Sequence, residues 1–128
     1  MKLSALVLLQ AAASVLAKAP YCHYKGVGQI YIGGQPIPVN NRYTLAAYDV
    51  NDHIPTVCHD LWMELRNKWM CGVWSFGRFK HYCRDAGDGM LEWEFESGLA
   101  CNKGMVHDAW YKATKNKYGA IDCEKKKN

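Results

Sequence analysis

Six cysteines constrain this 128-residue chain more than any other feature: Cys22, Cys58, Cys71, Cys83, Cys101 and Cys123. An even count in a short exported chain reads as three disulfides. Each contributes about 2–4 kcal/mol, mainly by restricting the unfolded chain. A zinc site would need closely spaced ligand pairs, and there is no Cys-x-x-Cys. The expectation is therefore a disulfide framework with no metal and no cofactor.

Export is read from the N-terminus. Met1 and Lys2 form a short positive region, and Leu3 to Leu16 is almost wholly apolar or small. Val15, Leu16 and Ala17 form a small-residue cleavage pattern, which places the cut after Ala17. The apolar run falls short of the about 20 residues that span a bilayer. Residues 1–17 are thus expected to be a signal peptide, and residues 18–128 one disulfide-stabilised α/β domain. The formal net charge is +4, with lysines gathered at Lys112, Lys115, Lys117 and Lys125 to Lys127. A run of this kind is a solvated helix face and tail, too weak a field to argue for nucleic acid.

Periodicity supplies two helices. Ile54, Val57, Cys58, Leu61, Trp62, Leu65 and Trp69 recur at helical spacing, opposite Asp60, Glu64, Asn67 and Lys68. Pro55 suits the first turn, with Asn51 or Asp52 as the cap. A second helix is expected over about Asn102 to Tyr118, capped by Ser97 or Asn102, with Gly119 after its end. Leu91, Trp93 and Phe95 alternate with Glu92, Glu94 and Glu96, which predicts a half-buried strand with an acidic outer face. Gly72 to Tyr82 reads as its partner strand, joined by a hairpin loop at Asp85 to Gly89. Gln29 to Ile32 and Ala120 to Glu124 read as the first and last strands. Pro36 and Pro38 mark a loop, and Thr44 to Tyr48 is a further strand without a place.

The order β, α, β, β, α, β gives an α+β, ferredoxin-like split βαβ sandwich, with two helices on one face of a four-stranded antiparallel sheet. In that fold the first strand starts where the last one ends, which pairs Cys22 with Cys123. The second strand's start and the third's end bring Cys71 to Cys101. Cys58 and Cys83 then meet at the opposite edge.

Catalytic motifs are missing: there is no Gly-x-Ser-x-Gly, no His-Glu-x-x-His and no phosphate-cradling glycine loop. The best enzymatic alternative is a metal-free ribonuclease, using Glu92, Glu94 or Glu96 with His81 and the cations Arg78 and Lys80. The simpler reading of those residues is cross-strand charge pairing on an exposed sheet face. The five tryptophans are core residues unless exposed, when they would mark a recognition surface.

With signal, cysteines and helices placed, the chain resembles small secreted cysteine-rich fungal effectors of the killer-toxin-like, ferredoxin-like class. The resemblance lies in the signal Met1 to Ala17, the mature size, and first and last cysteines near the two ends, at Cys22 and Cys123. It implies a secreted, non-enzymatic effector or toxin that binds a host or competitor protein, or a second secreted effector, with onward entry into host cells as one route. Members of that class also act on the membranes of rival microbes, but no strongly cationic amphipathic stretch supports that here, and neither stable membrane insertion nor nucleic-acid binding is expected. A ribonuclease-like effector group that binds RNA is the alternative, but its Tyr-x-Cys motif is here Tyr21 followed directly by Cys22. The resemblance carries over no functional residues; strand alternation alone gives the expected binding row, Glu92, Glu94 and Glu96 with Arg78 and Lys80.

Overall fold

The computed structural model describes residues 18–75 and 77–126. The expected signal peptide lies outside the described residues. Two strands open the fold: β1 (Tyr21–Ile32) and β2 (Gln35–Ala47). Gly33 and Gly34 join them with φ of 58° and 79°. A two-residue hairpin of this hand needs positive φ at both positions, which glycine supplies without strain. The chain continues through α1 (Ile54–Arg66), a 3-10 turn (Trp69–Cys71), β3 (Tyr82–Gly87), β4 (Met90–Gly98), α2 (Lys103–Thr114) and β5 (Cys123–Lys125).

Among the described residues the architecture is α+β, with two helices and three disulfides as expected, but the sheet has five strands rather than four. Their order is β3-β4-β2-β1-β5, antiparallel except for β5 beside β1. The segment Thr44 to Tyr48 supplies the difference. Its first four residues end β2, at the centre of the sheet between β1 and β4. Pro36 and Pro38, expected in a loop, lie inside β2 opposite Tyr31 and Gln29. Proline has no N–H for a ladder, so it fits only where its nitrogen faces an unpaired edge. That stretch of β2 has no neighbour on its other side, because β4 pairs only from Asn40 onward.

A second correction concerns Gly72 to Tyr82. Before Tyr82, the described residues of this expected strand form one isolated bridge, from Val73 to Ser97. The regular strand begins at Tyr82 and runs into the expected Asp85-to-Gly89 loop. Asp88 and Gly89 make the turn instead, with φ of 53° and 76°. A two-residue turn of this type lets pairing extend closer to the tip.

The helices share one face of the sheet. Tyr43, Leu45, Leu91, Trp93 and Phe95 face Val57, Leu61, Leu65, Val106 and Trp110 in one buried cluster. Trp110 donates its indole N–H to the carbonyl of Gly119 at 2.9 Å. Asn102 caps α2, its Oδ1 accepting from Met105 N at 3.0 Å. His53 takes the N-cap position of α1 without a side-chain cap. Asp52 instead bonds Tyr118 and Lys117, tying the start of α1 to the segment that follows α2. Trp69, expected in the buried stripe, falls beyond the end of α1 and is 84% exposed.

The disulfides are Cys22–Cys123, Cys58–Cys83 and Cys71–Cys101. All three pairs match the sequence expectation, though the first arises differently. Cys22 and Cys123 are direct neighbours in the parallel β1–β5 register, each near the start of its strand.

Candidate functional site

Alternation along β4 decides what the uncovered face carries. Leu91, Trp93 and Phe95 are buried under the helices, so Glu92, Glu94 and Glu96 point the other way. Register then sets their neighbours. Glu92 lies between Ala46 and Arg84, Glu94 between Thr44 and Tyr82, and Glu96 beside Arg42. His23 extends the Glu94 row across β1, opposite Thr44.

Each carboxylate already has a partner. Glu92 accepts from Arg84 at 2.9 Å. Glu94 accepts from the Tyr82 hydroxyl at 2.8 Å. Glu96 accepts from both Nε and Nη2 of Arg42, at 3.0 and 2.8 Å. The last pair differs from the others in burial. Glu96 is 2% exposed, whereas Arg84 and Glu92 remain open to water, where a pair contributes at most about 1 kcal/mol.

The cover over Glu96 comes from the segment that leaves the sheet edge before β3. Phe79 lies against the Arg42 guanidinium, 4.2 Å from ring centroid to cation. His81 stands edge-on to Phe79, and its Nδ1 accepts from the Glu96 backbone N–H at 3.3 Å. The imidazole thus takes the place of a missing ladder partner. Next to this cover is a shallow cleft of about 180 Å³ lined by Val27, Gly28, Arg42, Arg78, Phe79 and Glu96.

Burial lowers the pKa of both His23 and His81 below the ordinary imidazole value. For His23 the nearby Lys126 adds to this and Glu94 opposes it. For His81 Glu96 opposes it. Both rings are therefore neutral at pH 7. The Tyr82 hydroxyl is pushed up to about 12, by burial first and then by its bond to Glu94.

The five expected residues thus do not form one uniform row. Glu92 and Glu94 are half-buried on the open face, Glu96 is beneath it, and Arg78 and Lys80 are exposed on the covering segment. Sequence reasoning missed Arg42, Phe79, Tyr82 and His23 as members. The alternation Arg42, Tyr43, Thr44, Leu45 carried the signal for Arg42, but it could not be used while that strand had no place. Elsewhere, the exposed Trp69 and Val73 flank an apolar cleft of about 300 Å³ that reaches Trp62 and Arg66.

Among the described residues no group of three His, Cys, Asp or Glu side chains is arranged to hold a metal ion. No described helix is long and apolar enough to cross a membrane. No protein-family model matches this chain, and neither the curated proteins nor the solved structures compared with it give a match.

Proposed function

We propose that this chain is a secreted effector or toxin-like protein that binds a host or competitor protein through the open sheet face, without catalysis. The observation that carries the reading is the pairing of the acidic row. A general base must be free to take a proton from substrate. Here Glu92, Glu94 and Glu96 are each engaged, by Arg84, Tyr82 and Arg42. What remains is a surface of paired charges, edged by the exposed Arg78 and Lys80. Such a surface suits electrostatic selection of a partner.

The killer-toxin-like, ferredoxin-like class belongs to the same reading. Two helices on one face of a largely antiparallel sheet support it; the central β2 between β4 and β1, and the parallel β5, depart from that fold. The three disulfides agree with secretion, an environment where they persist.

A ribonuclease-like reading has one observation in its favour. His23, Thr44, Glu94 and Tyr82 lie in one cross-strand row, with the imidazole neutral at pH 7. One assay separates the two. The purified oxidised protein, incubated with RNA, is expected to leave it intact. Hydrolysis abolished by His23→Ala or Glu94→Gln would establish the ribonuclease reading instead.

A further inference from the structure

The β1–β2 hairpin runs well beyond the rest of the sheet. On one side β4 pairs with β2 only from Asn40 to Ala47. On the other, β5 pairs with β1 only from Cys22 to Tyr24, with one further bond from Lys126 N to the Tyr24 carbonyl at 2.7 Å. Residues past these points form a two-stranded projection with both outer edges unpaired among the described residues.

The two edges differ. On β2, Pro36 and Pro38 turn their nitrogens outward and offer no donors to an added strand. Across a two-residue turn the flanking pair, Ile32 and Gln35, is the hydrogen-bonded one, so the alternate pairs at Tyr31 and Gln29 are not, and both residues direct N–H and C=O outward. Apart from a break at Gly28, where φ is 67° and the ladder skips the pair with Val39, this edge lacks the usual protection. Folded proteins shield an exposed strand with charge, proline, a bulge or shortness. The outer strand at the opposite end of the sheet, β3, is only six residues long, carries Arg84 and Asp85, and has a register shift. From Gly26 to Asn41 there is no charged residue at all. Ile30, Tyr31 and Ile32 are 43%, 71% and 59% exposed.

We propose that the β1 edge at Gln29–Ile32 is a strand-addition site whose occupant is a second copy of this chain. Antiparallel self-pairing about Ile30 sets Gln29 against the partner's Tyr31 and Tyr31 against the partner's Gln29. Each of those two pairs exchanges N–H···O bonds through the outward groups just identified. Ile30 is paired with Ile37 within the hairpin. Bringing two copies together therefore lines up Ile37, Ile30, the partner's Ile30 and the partner's Ile37 as one apolar row. The partner's hairpin turn stops beside Val27, short of the edge that β5 occupies. The neutrality of the strand selects the occupant. A surface meant for a different protein gains from complementary charge, whereas a two-fold contact sets like against like and must avoid it. This interface is separate from the open-face recognition surface and does not depend on it.

Sedimentation velocity on the oxidised full-length domain tests the proposal. The contact is small, so dimerisation is expected in the range of about 10–100 μM. The weight-average mass should approach double the monomer value above that range. Tyr31→Pro removes an outward N–H without breaking the hairpin ladder, and Ile30→Lys places two cations face to face. Each should hold the protein monomeric at the highest concentration while its far-UV spectrum and disulfide pairing remain those of wild type. A wild type that is monomeric throughout overturns the proposal. So does a dimer that persists in folded Tyr31→Pro and Ile30→Lys, because its interface then lies elsewhere.

Discussion

Arg42→Met should be among the most damaging substitutions on the sheet face opposite the helices. Arg42 gives Glu96 two hydrogen bonds, at 3.0 and 2.8 Å, and Glu96 is 2% exposed. Removing one partner of a buried ion pair costs about 3–5 kcal/mol, because the other charge is left without compensation. The Arg42 side chain is 27% exposed, so water can partly solvate the carboxylate left behind. That places the cost near the lower end, about 3 kcal/mol. Methionine keeps the contact with Phe79 and limits the cavity. The double variant Arg42→Met, Glu96→Met removes both charges at similar volume and should lie within about 1 kcal/mol of wild type. The assay is urea unfolding with disulfides intact, giving a double-mutant cycle from the three variants. A single-variant cost below about 1 kcal/mol, or strictly additive effects, would refute the view that Glu96 is a structural anchor for the covering segment.

Three further outcomes follow from the same geometry. His23 and His81 have lowered pKa values, so the folded state binds fewer protons than the unfolded one as pH falls below about 6.5; stability should decline from pH 7 towards 5, and His81→Phe should flatten that decline in pH-dependent urea midpoints. The Tyr43 and Tyr82 hydroxyls are held at about 12, so their stabilising effect is complete below pH 10 and lost as pH rises through 12; ultraviolet titration of tyrosinate should show two late-ionising groups, one of which disappears in Tyr82→Phe. Replacing both cysteines of a pair by alanine should cost most for Cys22–Cys123, whose separation is 101 residues against 25 and 30 for the others; the chain-entropy difference is about 1 kcal/mol, readable in thermal midpoints.

Much of the covered face was legible in the sequence. Strict alternation at Leu91, Trp93 and Phe95 and helical spacing from Ile54 to Leu65 fixed which residues are buried, because each period has one possible inner face. The pairs Cys58–Cys83 and Cys71–Cys101 followed from element order, since only neighbours in space can close a bridge, whereas Cys22–Cys123 was expected from an antiparallel last strand that is in fact parallel. The misplaced parts have local causes. Two prolines suggested a loop, yet an unpaired edge accepts them, so the central strand β2 was not recognised as one long element. Aromatic residues from Trp74 to Tyr82 suggested a strand, yet most of that stretch leaves the edge to cover Arg42 and Glu96. The candidate site suffered most from this. Its acidic row was visible in β4, but the partners that neutralise that row come from strands and a segment that only the three-dimensional register brings beside it.

The proposal that the open sheet face recognises a protein is tested most directly by paired capture experiments. The oxidised domain and a folded Arg78→Glu, Lys80→Glu, Glu92→Lys variant would be presented side by side to the same extract of host tissue. Those three positions leave Glu96 and its anchor intact. The account predicts a protein retained by the wild type and lost from the variant, with both showing the same disulfide map. Equal retention of that protein by the folded variant would contradict it.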